Sequence, residues 1–371
     1  MDYSIIVPHH SNARTLGFCL ETLSRTVPAE VEIVVVLNNV DRDEIEIAID
    51  EHRFRALRIP QNLGYGGAIN AGVAEARGRT LVFCDDDTAF IPGWFEALAR
   101  FRADTPAAGS VSAKLLAPGT GRIVDYGIAF TDYNAPHPFM DAEATHPLVS
   151  VPRHVQAACS AVMMIDKDVF ERAGRFSDRP HAYYNDIDLC LRLREDGLET
   201  WVIPGAIAFH RSSFNGVRAA PYKGSALKTD QKAWFMAQHG HRLVSDMSRY
   251  FAESFAHHFS SFPGSNEYLL VDLTSIVDRK AHRDLIATYF RIRDVYEGSM
   301  YVRDATDLAL MEHLGPNLAA LNVPLIYFVD RFIALRANVA WARLRDITWD
   351  LVIDRNANVR RLADVVERGA V

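Results

Sequence analysis

The feature that most constrains the fold is a short apolar run that ends in three acids. Residues 81–83 are Leu-Val-Phe, and after Cys84 come Asp85, Asp86 and Asp87. A continuous apolar run is typical of an inner strand of a parallel sheet, because such a strand is covered on both faces. The triplet then falls at the carboxyl end of the strand, where open α/β sheets bind ligands. Since adjacent carboxylates repel one another, we expect a cation beside them, with a solvated acidic turn as the alternative.

Length and composition set the outer limits on domain number and on the class of partner. A chain of 371 residues predicts two or three domains. The net charge of −7 argues against non-specific nucleic-acid binding, which needs a basic surface. The four cysteines form no C-x-x-C pair and indicate reduced thiols. With neither a signal peptide nor an apolar stretch of about 18 residues, we expect a cytoplasmic protein without a transmembrane helix.

Strands and helices alternate along the first part of the chain. Strands are predicted at residues 4–7, 31–37, 56–59, 81–83, 110–116, 123–130, 155–165, 199–203 and 206–209, and the helices that open the alternation at 13–25 and 43–52. This alternation with short links predicts an α/β fold with a mostly parallel sheet and flanking helices. The polar stretch at 134–147 is long for a loop and is of the kind that covers a ligand.

A glycine-rich block follows the third predicted strand. Residues 62–67 are Asn-Leu-Gly-Tyr-Gly-Gly, and a helix is predicted from there to about Arg77. Glycines at a helix N-terminus let backbone N–H groups approach a phosphate or a sugar. Ile69 stands where a dinucleotide fingerprint needs its third glycine, so that fingerprint is excluded. A plain tight turn is the alternative.

Two later positions carry candidate chemistry. Residues 185–192 are Asn-Asp-Ile-Asp-Leu-Cys-Leu-Arg and predict the start of a helix with Asp186 and Asp188 in its first turn. Helix capping and the helix dipole are the alternative explanation for those residues. His210 ends an apolar run and is either a buried core histidine or a metal ligand.

Together these blocks resemble the family 2 glycosyltransferases, which have the GT-A fold. The resemblance spans residues 3–213 and rests on five blocks in family order: residues 4–8, 62–72, 85–88, 185–192 and His210. Residues 62–67 are similar to the branch that holds rhamnosyl- and galactofuranosyltransferases. The resemblance implies an inverting transfer of a hexosyl or deoxyhexosyl group from a nucleotide-diphosphate sugar to a hydroxyl of a glycan or lipid-linked glycan. Bacterial polysaccharide or glycoconjugate synthesis is the implied setting.

The resemblance also implies roles for individual residues. The nucleotide-sugar contacts are implied for Pro8, His9, Asn39, Asn62, Gly64, Gly67, Asp85 and Asp86. Mg²⁺ or Mn²⁺ is implied at Asp85, Asp87 and His210, with Asp87 the direct ligand. Asp186 is implied as the catalytic base. Two positions depart from the family pattern: Asn39 stands where many members carry an acid that contacts the nucleobase, and Asn185 replaces the usual acid before Asp186.

Beyond about residue 215 the composition shifts and helical patterns dominate. We predict a GT-A catalytic domain at 1–215 and a mainly α-helical acceptor or partner domain at 216–371. A strand is predicted at 268–273 and a long helix at 324–345 with an apolar stripe. This stripe is predicted to pack in the core or in a homo-oligomer, with contact to the inner face of the membrane as the alternative.

Two functional hypotheses from different classes stay open. The first is an active glycosyltransferase. The second is a catalytically inactive GT-A domain that serves as a binding subunit of a glycan-assembly complex. A sugar-phosphate nucleotidyltransferase is disfavoured, because the glycine-rich basic loop that it needs after the first strand is missing.

Overall fold

The protein divides into two compact units, described here from a computed structural model. They are Met1–Ala129 with Met140–Val244, and Phe130–Phe139 with Ser245–Val371. The structure describes residues 2–40, 53–130, 135–177, 183–211, 225–247, 249–250, 253–254, 268–272, 299–303, 325–329, 351–354, 356–361 and 364. None of the helices in these ranges has the length and apolar character needed to cross a bilayer. The functional division at 215/216 stays a prediction.

The first unit alternates strands and helices. Its strands are β1 Tyr3–His9, β2 Glu32–Asn38, β3 Arg55–Ile59, β4 Thr80–Cys84, β5 Thr88–Phe90, β6 Ala108–Leu116, β7 Ile123–Asp125, β8 Arg153–Val155, β9 Val162–Asp166 and β10 Glu199–His210. Its helices are α1 Ala13–Thr26, α2 Gly64–Glu75, α3 Trp94–Asp104, α4 Lys167–Arg172, α5 Asn185–Glu195 and α6 Ser225–His239, with 3₁₀ turns at Pro147–Val149 and Gly240–Arg242. The predicted helix at 43–52 lies outside the described residues.

These strands form one mixed sheet in the order β3-β2-β1-β4-β9-β6-β10-β5, to which β7 and β8 add at β6 and β10. The first four strands run parallel, and β9 enters antiparallel between β4 and β6. The apolar residues 81–84 of β4 are fully buried, as their continuous pattern predicts. Because β1, β2 and β4 are parallel, their carboxyl ends meet at one edge of the sheet. The predicted α/β sheet with flanking helices is confirmed, but the sheet is mixed and not mostly parallel, because β5, β7, β8 and β9 pair antiparallel with their neighbours.

Two predicted strand patterns take a different form in this unit. The predicted strand at 155–165 is two strands, β8 and β9, since the small residues between them turn the chain from one sheet position to another. The predicted strands at 199–203 and 206–209 are one strand, β10, with a register shift in its pairing to β6 between Ile203 and Ile207. This shift allows Pro204 and Gly205 to lie inside a long strand.

The second unit contains a five-stranded sheet. Its strands are β11 Tyr268–Asp272, β12 Ser299–Arg303, β13 Leu325–Val329, β14 Leu351–Asp354 and β15 Val359–Arg361, in the order β12-β11-β13-β14-β15. All pairs are parallel except β14 with β15. The strand predicted at 268–273 is confirmed by β11.

The long helix predicted at 324–345 is wrong where it begins, because Leu325–Val329 is a strand. Its five residues form a continuous run of aliphatic and aromatic side chains, and such a run satisfies a helical and a strand period equally. The β-branched and aromatic content favours a covered parallel strand. Residues 330–345 of that prediction lie outside the described residues. Among the described residues after 216, helix α6 agrees with the predicted mainly α-helical region, whereas strands β11–β15 do not.

Candidate functional site

The acidic triplet lies in a tight turn between β4 and β5 at the carboxyl edge of the sheet. The amide of Asp85 donates to the carbonyl of Ala161 at 2.9 Å, and Thr88 Oγ1 donates to the carbonyl of Asp85 at 2.6 Å. These bonds hold the turn at both ends. Strand β5 then pairs antiparallel with β10, which places His210 directly opposite Thr88. A histidine far along the chain is thereby brought to the acids.

Asp85, Asp87 and His210 form one cluster. His210 Nε2 lies 3.1 Å from Asp87 Oδ1 and 3.4 Å from Asp85 Oδ2. One candidate ligand atom from each residue lies within 4.8 Å of the others. Burial alone would lower the pKa of His210, but hydrogen bonds to the two carboxylates outweigh burial and raise the pKa to about 10. The three residues that the sequence suggests as metal ligands therefore meet in the structure.

The chemistry of this cluster fits a small divalent metal. Two carboxylates and one imidazole suit Mn²⁺, and the carboxylates with phosphate oxygens suit Mg²⁺. Asp85 Oδ1 is buried and has no hydrogen-bond partner within the described ranges. An unsatisfied buried oxygen is costly unless a ligand satisfies it. Asp85, Asp87 and His210 are therefore the residues that would hold such an ion.

Asp86 has a different partner from its two neighbours. His9 Nδ1, from the end of β1, lies 2.5 Å from Asp86 Oδ2. Burial raises the pKa of Asp86 above its usual range, and the bond to His9 opposes that rise. The pair connects the acidic turn to the strand end that contains Pro8, so two predicted nucleotide contacts, His9 and Asp86, are adjacent.

A network of amides joins the ends of β1, β2 and β3. Asn38 Nδ2 donates to Asn62 Oδ1 at 3.0 Å and to the carbonyl of Gly64 at 3.2 Å, and Asn38 Oδ1 accepts from the amide of Leu63 at 2.9 Å. His10 Nδ1 lies 2.7 Å from the carbonyl of Asn38. The glycine block is therefore fixed by β2, which sequence spacing does not indicate.

Asn39, for which the resemblance implies a nucleotide contact, has a different position from Asn38. Its side chain is exposed and its φ of 59° is left-handed, whereas Asn38 is buried. Asn39 thus lies at the tip of the edge, and Asn38 supports the loop beneath. The sequence shows two asparagines at the end of a strand, but it does not indicate which of them supports the loop.

The glycine block opens helix α2 and lets it approach α5. Gly64 has a φ of +71°, a conformation that favours glycine. A Cβ on Gly66 would lie 3.1 Å from Asn185 Oδ1 and 3.0 Å from Phe176 Cβ. Gly67 lies against Leu63, where a Cβ would come within 2.7 Å of the Leu63 Cβ. The close packing of α2 on the start of α5 therefore depends on Gly66.

Asp186 lies in the first turn of α5, beside the residues that precede β9. Its Oδ2 accepts from the amide of Ser160 at 3.3 Å, and its Oδ1 accepts from the amide of Ile187 at 2.9 Å. Ser160 Oγ in turn lies 3.0 Å from the hydroxyl of Tyr65. Ser160 and Tyr65 are functional candidates that the sequence reasoning missed, because Ser160 is one small residue in an apolar run.

Asp188 has a structural role instead. It accepts from Arg192 Nη2 at 2.7 Å and from His239 Nε2 at 2.6 Å, and it is buried. Burial would raise the pKa of Asp188, but these bonds lower it below the ordinary value.

Asn185 does not cap helix α5: the N-cap is Tyr184, and Asn185 is the buried first helical residue. The alternative of asparagine capping is therefore wrong.

Residues 4–172 match the family model described as glycosyl transferase family 2. The O-antigen biosynthesis protein RfbC of Myxococcus xanthus is 28% identical over 208 residues, which are 53% of this chain and 16% of that protein. An N-acetylglucosaminyltransferase of Sinorhizobium fredii is 25% identical over 221 residues, 55% of this chain and 51% of that protein.

Among solved structures, TarS of S. aureus is similar over 80% of this chain and 50% of that chain, with a TM-score of 0.43 and 15% identity. The chain spans about half or less of the length of these relatives. Residues 4–172 of the first unit are thus similar to family 2 glycosyltransferases, and the α/β sheet of this unit with its flanking helices fits a GT-A fold. The family match ends before Asp186 and His210, so both lie outside it.

Proposed function

We propose that the protein is an inverting glycosyltransferase that moves a sugar from a nucleotide-diphosphate sugar to an acceptor hydroxyl. One observation carries the proposal: the neighbouring residues Ser160 and Ala161 bind the two candidate functional acids, Asp186 and Asp85. The amide of Asp85 donates to the carbonyl of Ala161, and the amide of Ser160 donates to the carboxylate of Asp186. A candidate metal-binding acid and a candidate base are thereby fixed at the same edge, as a displacement at a sugar carbon requires.

In this mechanism Asp186 takes the proton of the acceptor hydroxyl. A sugar hydroxyl holds its proton too tightly to attack at neutral pH, so a positioned carboxylate lowers the barrier. Asp186 is fixed by the amides of Ser160 and Ile187, which bind its charged form. Burial raises the pKa of Tyr65 well above its usual range, so the Tyr65 hydroxyl stays protonated and able to donate beside Ser160.

Donor binding falls to the other residues at this edge. Asp85, Asp87 and His210 would hold Mg²⁺ or Mn²⁺, which when bound neutralises charge on the leaving diphosphate. Pro8, His9, Asn39, Asn62, Gly64, Gly67 and Asp86 make up the nucleotide side in this proposal. The block at residues 62–67 supports a donor of the rhamnosyl or galactofuranosyl type. The acceptor is a glycan or lipid-linked glycan in polysaccharide or glycoconjugate synthesis, at the cytoplasmic side of the membrane.

A donor panel tests the proposal. The full chain is incubated with Mn²⁺ and UDP-, dTDP- and GDP-linked sugars, with and without glycan acceptors, and release of nucleoside diphosphate is measured. Acceptor-dependent release with one donor, and a product of inverted anomeric configuration by NMR, is the expected result. Donor binding without turnover would support the inactive binding subunit instead. A product that retains the donor configuration would overturn the inverting mechanism.

A further inference from the structure

Helix α6 lies beyond the part of the chain that matches the family model, and sequence gives it no chemical role. Three of its buried residues, Gln231, Phe235 and His239, recur at every fourth position. Residues four apart lie on one face of a helix, one turn above another. The polar members of this row are buried along with the phenylalanine, so the row is more than an apolar stripe.

Each of these three residues contacts the start of α5. Gln231 Oε1 accepts from the amide of Tyr183 at 2.8 Å. The Phe235 ring stacks on Tyr184, with ring centroids 4.9 Å apart and an interplanar angle of 18°. His239 donates from Nε2 to Asp188 Oδ1 at 2.6 Å. The contacted positions flank Asp186 on both sides along the chain.

Tyr184, on which Phe235 stacks, has an unusual backbone conformation. It is the N-cap of α5 and has a left-handed backbone, with a φ of 68° and a ψ of 0°. This conformation is rare for a bulky residue and persists only when surrounding structure enforces it. The helix has no side-chain cap bond within the described residues. The direction in which α5 leaves Tyr184 is therefore set by packing, and Phe235 supplies the stacked ring.

The other side of α5 is held independently. Arg192 Nη2 donates to the carbonyl of Arg175 at 2.6 Å, and Arg192 Nη1 donates to the carbonyl of Ala173. Asp188 joins the two sides, because it accepts from both Arg192 and His239. Loss of the α6 contacts should therefore free the first turn of α5 and leave the body of the helix in place.

We propose that Gln231, Phe235 and His239 are positioning residues, through which α6 fixes the carboxylate of Asp186 against the acceptor hydroxyl. The inference rests on the proposed role of Asp186 as the base. It assigns to α6 an effect on the proton-accepting step and none on donor binding, since none of its three contacts involves the Asp85–Asp87–His210 cluster.

The first test compares kcat with donor KM for Phe235→Leu, His239→Leu and His239→Gln. A small misplacement of a reacting group costs up to about 100-fold, so we expect kcat of the two leucine variants to fall roughly 10- to 100-fold. Donor KM should change less than about 3-fold, because an interaction that acts only in the transition state leaves it unchanged. His239→Gln keeps an N–H for Asp188 and should restore most of kcat.

A matched control is Phe95→Leu. Phe95 is a buried phenylalanine on α3 in the same unit, and its ring packs against Tyr3 with centroids 5.1 Å apart. The same Phe→Leu change there should lower the melting temperature while kcat, measured well below that temperature, stays near the wild-type value. An equal loss of kcat in Phe95→Leu would show that general destabilisation explains the effect, and would overturn the proposal.

The deciding test repeats Phe235→Leu in an Asp186→Asn background. If α6 acts through Asp186, the second change should slow transfer by less than about 2-fold there, because residues that act as a unit are not additive. The same fold-loss in both backgrounds would overturn the positioning role and leave the base intact. Wild-type transfer by Asp186→Asn alone would instead refute the base assignment, so the two failures are distinguishable.

Discussion

Asp87 and His210 meet at 3.1 Å because Thr88, next to Asp87, is paired directly with His210 across β5 and β10. The amide of Arg211 also donates to the carbonyl of Asp87 at 3.2 Å, which extends that pairing by one residue. The proposed metal site is therefore assembled by an antiparallel strand pair added to the edge of the parallel sheet. Its histidine comes from the last position of β10.

This arrangement predicts that Asp87→Asn and His210→Ala each weaken Mn²⁺ binding by about 10-fold or more, since even outer-shell changes at metal sites cost that much. Titration of Mn²⁺ followed by electron paramagnetic resonance measures the affinity directly. His154→Ala, an exposed histidine on β8, is the control and should bind Mn²⁺ as wild type does. Unchanged affinity in His210→Ala would remove His210 from the ligand set. Full transfer activity in excess chelator would contradict metal dependence altogether.

Asp186→Asn should reduce transfer by roughly 10² to 10⁴-fold, the usual contribution of general-base assistance. The asparagine side chain keeps the shape of the aspartate and an oxygen that can accept from the backbone N–H of Ser160. Folding and donor affinity should therefore be unchanged. Initial rates with a saturating donor, together with isothermal titration of the donor, separate these effects. A variant with near wild-type transfer would show that another group accepts the proton.

Asn38→Asp should lower the free energy of unfolding by about 2 kcal/mol and weaken donor binding. The change replaces a donor to Asn62 and Gly64 with a charged oxygen that faces two acceptors. Asn39→Asp is the stability control, because the same change at an exposed left-handed position should alter stability by less than about 0.5 kcal/mol. Denaturant unfolding checks both. Equal stability of the two variants would refute a supporting role for Asn38.

Asp188→Asn should destabilise the first unit by about 2 kcal/mol, because a charged hydrogen-bond acceptor is lost beside Arg192 and His239. The folded-state pKa of Asp188 is depressed, so its contribution to stability is present above the ordinary value of 3.8 and is lost as the pH falls through the lower folded value. The stability difference between wild type and variant should therefore shrink below about pH 4. A constant difference between pH 2 and pH 7 would contradict this linkage.

The sequence predicts well the features that depend on a single segment. Strand β4 and its acidic end follow from a continuous apolar run and from the rule that ligands bind at strand carboxyl ends. The four cysteines, predicted as reduced thiols, are free. The family resemblance implies a cluster of Asp85, Asp87 and His210, and the structure brings the three together.

Other features depend on segments that only the tertiary structure brings together. The bonds of Asn38 to residues 62–64 and of Ser160 to Asp186 have no periodic signal, because each residue alone is ordinary for its place. The same holds for Gln231, Phe235 and His239, whose spacing indicates a helix but not its partner. Leu325–Val329 fails for a different reason. A run of apolar residues without polar interruptions has no periodicity by which a strand could be distinguished from a helix.

Residues Phe130–Phe139 belong to the second unit, although the segments before and after them belong to the first. This limits how the two units can be exchanged in chimeras. Phe139 is buried, its amide donates to the carbonyl of Asn356 at 2.7 Å, and its ring lies 5.8 Å from that of Tyr250. The amide of Phe130 donates to Asp246 Oδ1 at 2.8 Å. A chain cut after Val244 would keep residues 130–139 but would lose Asp246, Tyr250 and Asn356, which Phe130 and Phe139 contact. A chimera that exchanges the second unit must therefore also exchange residues 130–139, which adds two junctions within the first unit.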